Sequence, residues 1–305
     1  MDPLSDVLSL LQVTGMLTAR MEARGQWAMQ FPPYSHMKFG TVLQGNFWLW
    51  ADDITPVRLK TGDFYLLTSG KSYCCGSEPG LLTVDGREVF ALRRDANGIV
   101  RYGHGEAVCE AVGGKFVFDG PVSQLLLKYL PSVLVTRHEN ATSPILNALI
   151  TIISQETISM RPGHHIAAGS LATLALVQML REWQTGEQKE ALWFSALSDR
   201  KISHALSLIH STPSFSWTLS KLASESAMSR TAFTNRFRQL TGYSPINYLM
   251  MWRMELACVK LKQHRESISE IAESIGYVSI PSFSLAFRRY TGMSPGAWRR
   301  LSPVA

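Results

Sequence analysis

Between Ser229 and Arg238 the chain carries Arg230, Thr231, Thr234, Asn235, Arg236 and Arg238, side chains whose forks and hydroxyls match nucleobase edges and phosphates. Phe233 and Phe237 lie among them, four residues apart, so on a helix they bury one stripe and leave the polar set on the opposite face. Such a face can read bases through Arg230, Thr231, Thr234 and Asn235, with Ser229, Arg236 and Arg238 set for the phosphate backbone. A second segment, 49 or 50 residues on, holds Phe283 and Phe287 in the same relation. There the outward positions are Ile280, Pro281, Ser284 and Leu285, with Ser279, Arg288 and Arg289 at the ends. None of the four can fork onto guanine or adenine, a contact worth about 1–3 kcal/mol of discrimination. The expectation is that the first segment reads sequence. The second presents Ile280, Pro281 and Ser284 to the bases and mainly grips phosphate through Arg288 and Arg289.

Positioning those faces takes a repeated element. Leu222-Ala223, Ser229, Phe233, Phe237 and Thr241-Gly-Tyr-Ser-Pro245 recur as Ile271-Ala272, Ser279, Phe283, Phe287 and Thr291-Gly-Met-Ser-Pro295. In each copy a first helix carries a small residue, Ala223 or Ala272, where a second helix must approach. A tight connection follows, with Gly276 free to turn left-handed in the second copy, and then a serine caps the second helix. The spans predicted are about 219–240 and about 268–290, joined by one long helix over about 245–262 that starts at Pro245 and fixes the separation of the two readers. The charge distribution agrees. Residues 199–305 hold 14 Lys/Arg against 6 Asp/Glu, while the rest of the chain is net negative, so the basic third of this 305-residue protein faces a polyanion.

The first half reads differently. From 39 to 118, runs such as Phe47-Trp-Leu-Trp and Phe64-Tyr-Leu-Leu alternate with turn residues, which predicts a small antiparallel β-barrel. Three- and four-residue apolar steps then predict helices over 145–157 and 167–183, whose stripes can either pair two subunits or pack on the barrel. Gln184-Thr-Gly-Glu-Gln-Lys-Glu-Ala is polar and aperiodic. The organisation expected is a sensing and dimerisation domain over 1–183, a linker over 184–198 and a helical domain over 199–305.

A barrel can be a metalloenzyme when histidines and a glutamate converge, but no H-x-H occurs and Tyr73 stands where such a barrel often has histidine. Neither a metal nor a cofactor is expected, nor an enzyme. The mouth can instead hold a small molecule, with Trp48 and Trp50 on one strand face and Tyr34, His36, Tyr65 and Tyr73 supplying polar contacts, although each aromatic can equally be core. Cys74, Cys75 and Cys109 can sense an oxidant through a Cys109 link to one of the pair, or serve as small apolar residues.

Ile271-Ala-Glu-Ser-Ile-Gly-Tyr277, Phe283-Ser-Leu-Ala-Phe287-Arg-Arg and Gly292-Met-Ser-Pro-Gly-Ala-Trp298-Arg-Arg resemble the signature of the AraC/XylS transcription regulators. Residues 2–183 resemble the cupin-type N-terminal domain of one branch, through Asp2-Pro-Leu-Ser-Asp-Val-Leu, Gly62-Asp63 and Phe118-Asp-Gly-Pro121. Leu285 departs from the arginine common in that family. The resemblance implies a homodimeric regulator of transcription that binds double-stranded DNA, responds to a small-molecule effector or an oxidant, and works with RNA polymerase, more often as an activator. No apolar run reaches bilayer length and the first residues lack a basic leader, so no membrane is expected and the cytoplasm is the expected compartment. A metal-dependent cupin enzyme and a DNA-binding protein without an effector are the competing readings.

Overall fold

The computed structural model describes residues 2–10, 14–117, 130–138, 144–159, 161–185 and 192–301. The described residues of Val13–Phe118 and Leu130–Gly186 form one compact unit, and those of Met1–Gln12 and Glu187–Ala305 the other. The segment 186–191 of the expected linker and the Phe118–Pro121 motif lie outside the described residues.

In the first unit the apolar runs become β1 (Thr14–Arg24), β2 (Ala28–Phe31), β3 (Met37–Gln44), β4 (Asn46–Ala51), β5 (Ile54–Lys60), β6 (Phe64–Leu67), β7 (Tyr73–Gly76), β8 (Val84–Asp85), β9 (Ile99–Gly103), β10 (Val108–Val117) and β11 (Val133–Thr136), with a helix, α2 (Gly86–Leu92), between β8 and β9. They form two sheets, in the orders β11-β6-β3-β10-β1-β9 and β5-β4-β7-β2-β8. The core lies between them, with Met21, Val42, Leu67 and Ala111 from one sheet against Met29, Phe47, Leu49, Leu59 and Cys75 from the other. The cupin-like fold is as expected, with one refinement. β9 runs parallel to β1 and β8 parallel to β2, because both are edge strands joined through long connections, and only a hairpin forces antiparallel pairing. Buried Asp63 accepts from the backbone N–H groups of Lys60 and His138, both at 3.0 Å, and pairs with Arg137 at 2.8 Å. The Gly62-Asp63 motif is thus a turn that also fastens the segment after β11.

Two helices cover this unit: α3 (Pro144–Ser159) and α4 (His164–Thr185). They pack on each other, and α4 lies on β1. The approach is tight enough that a Cβ on Gly15 would stand 2.6 Å from the Gly169 carbonyl oxygen, so only glycine fits there. Ala168, Ala172, Ala175, Leu176, Met179 and Leu180 are buried along α4, which places one apolar stripe on the barrel. Ile145, Ile152, Ile158, Ile166 and Leu174 stay exposed on the outer faces.

The second unit is helical: α5 (Leu192–Ser198), α6 (Arg200–Ser211), α7 (Leu219–Glu225), α8 (Arg230–Thr241), α9 (Pro245–Gln263), α10 (Ile268–Ser274), α11 (Ile280–Thr291) and α12 (Pro295–Leu301). α9 buries residues on several sides, among them Leu249, Trp252, Met254, Ala257, Cys258 and Leu261, as the central helix of a small bundle must. The chain's first helix, α1 (Pro3–Leu10), packs here too, on α6 and α9, with Leu4 and Val7 buried. The sequence division at 183 placed that helix with the barrel. Asp6 Oδ2 lies 3.4 Å from His210 Nδ1, whose ring stacks on Trp252 at 3.7 Å and meets Tyr248 Oη at 3.0 Å. Burial holds the His210 imidazole below its usual range, with Asp6 pulling the other way.

Candidate nucleic-acid interface

Each repeat builds a helix-turn-helix. In the first, Thr218 caps α7 by accepting from Lys221 N at 3.2 Å, Ala223 is buried under α8, and the turn passes through Ala227 at a φ of 49°. Ser229 then caps α8, accepting from Ala232 N at 3.3 Å. Phe233 and Phe237 are fully buried with ring centroids 5.6 Å apart. That burial sets the rotation of α8, leaving Arg230, Thr231, Asn235 and Arg238 exposed and Thr234 half-buried. Thr234 Oγ1 donates back to the Arg230 carbonyl at 2.8 Å, so the hydroxyl is partly spent on its own helix. Arg236 is held by Asp199 at 2.9 Å and Gln239 at 3.2 Å. Arg230 and Asn235 carry no side-chain partner among the described residues.

The second copy reaches the same frame by different local means. Ser267 and Glu270 form a reciprocal capping box at the start of α10, Ala272 is buried, and the turn uses Gly276 at a φ of 88°. Ser279 accepts from Ser282 N at 3.4 Å to cap α11. Phe283 and Phe287 repeat the buried pair, again 5.6 Å apart. The outward face of α11 is apolar: Ile280 is 45 % exposed and Leu285 64 %, beside exposed Pro281 and half-buried Ser284. Arg288 and Arg289 are exposed at its far end.

Two residues of α9 that motif reading did not single out tie these units together. Arg253 donates to the carbonyls of Pro213 at 2.8 Å and Phe215 at 3.0 Å, ahead of the first unit, and lies 5.9 Å from the ring centre of Tyr277 in the turn of the second. Glu255 is buried and accepts a hydrogen bond from Tyr290 of α11. Their signal in the sequence was charge on the buried sides of an otherwise apolar helix, which needs a partner to be tolerated.

The barrel holds a cavity of about 310 Å³ between the two sheets. Of the residues expected there, His36, Tyr65 and Tyr73 line it. Tyr34 stands just behind, 6.0 Å from the Tyr73 ring and edge-on to it. Trp48 and Trp50 do not line it, because strand alternation turns Phe47 and Leu49 into the core and the two tryptophans to the other face. Lys38 of β3 does line it, and sequence reading missed it, as a lysine in a strand is ordinarily a solvent-side residue. Cys75 lines the cavity and Cys109 is buried in the same core, while Cys74 is half-buried. Burial raises all three thiols, that of Cys109 to about 12, which disfavours the reactive thiolate. Among the described residues no three His, Cys, Asp or Glu side chains gather as metal ligands, and no described helix is long and apolar enough to cross a membrane.

Residues 2–185 match the model of a cupin family and residues 222–301 that of a helix-turn-helix domain. Proteins of Streptomyces lividans and Streptomyces antibioticus described as AraC-like transcription regulators are each 36% identical to this chain over 98% of its length, covering 98% and 99% of theirs. Among solved structures, the DNA-binding domain of AdpA in complex with a target DNA is 30% identical, matching 34% of this chain and 92% of that one at a TM-score of 0.32.

Proposed function

The chain belongs to the AraC-like transcription regulators, and from that premise we propose a division of labour in which α8 reads base sequence, α11 grips the backbone, and the barrel cavity takes a small effector. The observation that carries it is the contrast between two equally framed helices: Arg230 and Asn235 stand exposed without a partner, whereas α11 offers Ile280, Pro281 and Leu285. Arginine forks onto guanine and asparagine onto adenine, while apolar side chains meet only thymine methyls. Thr231 and Thr234 flank the reading pair. Ser229 and Ser279, at helix N-termini, and Arg238, Arg288 and Arg289 take phosphates. Arg236 contributes through its hold on Asp199, which caps α6.

The buried thiols favour a bound effector over an oxidant as the signal. The effector acts by shifting populations between arrangements that differ in affinity for DNA. The protein works as a homodimer in the cytoplasm, activating transcription with RNA polymerase, as its family assignment favours. Selection of bound sites from random double-stranded DNA by the full-length protein tests the assignment. Arg230→Ala or Asn235→Ala should broaden the selected base at one or two positions, and Arg288→Ala should weaken all sequences alike. The reverse pattern would sink the division, and no enrichment with or without candidate effectors would sink the reading of α8.

A further inference from the structure

We infer that the barrel cavity is a site for an organic monoanion, a carboxylate on an apolar and preferably flat body, with Lys38 as its counter-ion. The inference rests on the reading of the barrel as the effector-binding unit and names the chemistry of that effector. The walls are chiefly aromatic: Phe31, Phe39, Phe47, Phe90, Tyr65 and Tyr73. The lining also includes His36, Lys38 and Lys115, and not one Asp or Glu.

Lys38 is the group in an unusual position. Its ammonium donates to Tyr73 Oη at 3.2 Å and lies 4.8 to 5.0 Å from the ring centres of Phe31, Tyr34 and Tyr73. No carboxylate among the described residues pairs with it. A cation taken out of water toward apolar walls is normally compensated by an acid, and here only ring faces and one phenol do so. A carboxylate entering the cavity completes the pair, and its charge is opposed by nothing in the lining. An amine would meet Lys38 and Lys115 as like charges, and a sugar would find few polar partners among the rings. The volume, at about 30 Å³ for each water-sized group, has room for roughly ten such groups, the scale of a phenylalkanoate.

The site carries its own pH signature. Burial lowers the Lys38 ammonium to about 8. The groups facing it are Tyr34 and His36 ahead of β3, Tyr65 of β6, Tyr73 and Cys75 of β7, and Lys115 of β10. Burial holds His36 below its usual value and raises the three tyrosines and the thiol, so none of those five changes charge between pH 7 and 9. An acid therefore binds a mostly charged Lys38 at pH 7 and a mostly neutral one at pH 9.

Calorimetric titration of the full-length protein with 4-phenylbutyrate and with 4-phenylbutan-1-ol tests this. At pH 7 the acid should bind at least tenfold tighter than the alcohol, and Lys38→Met should abolish the difference. In the unmodified protein the acid should lose about tenfold in affinity from pH 7 to pH 9, while the alcohol does not change. That second comparison decides the matter if the variant fails to fold. Equal binding of acid and alcohol, with no pH dependence, would overturn the anion site and leave the effector cavity standing. Failure of both to bind at millimolar concentration would overturn the anion site together with the cavity reading.

Discussion

The first helix-turn-helix closes its turn on Ala227 and the second on Gly276, positions 49 residues apart that both require a left-handed backbone. An alanine there costs about 1–2 kcal/mol that a glycine does not. The second unit needs its glycine for another reason as well: a Cβ on Gly276 would stand 2.7 Å from both Arg253 Nη2 and the Ser214 carbonyl oxygen. So the unit with the polar reading face has the strained, uncrowded turn, and the unit with the apolar face has the relaxed turn pressed against its neighbours. One frame, held by the same pair of buried phenylalanines, serves two different surfaces, and the surfaces rather than the frame carry the difference in use.

The frame itself should answer equally in both copies. Phe237→Ala and Phe287→Ala should each destabilise the helical unit by about 3–5 kcal/mol in denaturant unfolding, and a marked inequality would break the equivalence of the copies. Gly276→Ala comes next, at about 2–3 kcal/mol, from the left-handed turn and the overlap with Arg253 together. On the surfaces, Asn235→Ala or Arg230→Ala should cost about 1–3 kcal/mol, 5- to 150-fold, on the best selected site and little on unrelated DNA. Leu285→Ala should cost less on both. Acid separates the copies in a milder way, because His210 backs the first one through Tyr248, whose ring meets Phe237 edge-on. Its imidazole is held below the usual 6.5, so its stabilising contribution is present above that pH and is lost as pH falls through the lowered value. His210→Gln should flatten the fall in unfolding free energy that the unmodified protein shows on acidification. The smallest effect is Ala227→Gly, which should stabilise by about 0.5–1 kcal/mol, the relief of the turn exceeding the added freedom of the unfolded chain.

The repeat was legible because its meaning is local: a small residue, a capping serine and two aromatics four apart dictate a helix pair wherever they occur. The barrel was legible as a class from its alternating runs, although its two parallel edge pairings were not, since pairing partners far apart in sequence leave no local mark. Lys38 stayed hidden for a related reason. Which way a strand side chain points depends on register, and for Lys38 register is settled by its cross-strand partners Leu67 and Lys115, 29 and 77 residues away. Trp48 and Trp50 were misplaced by the same parity, one step out of phase with Phe47 and Leu49. Ala227 gave no sign of its turn, because alanine marks helices and not left-handed residues. The apolar side of α1 was visible in Leu4 and Val7, but nothing nearby names the surface that covers it.

That surface has a consequence in time. Leu10 leaves the ribosome about 240 residues before Trp252, roughly ten to fifty seconds earlier at about 5–20 residues per second. During that interval α1 is synthesised without the helices it will lie on, and the barrel segments emerge in between. The first ten residues therefore wait for the last hundred, and the helical unit is complete only after the two ends of the chain have met.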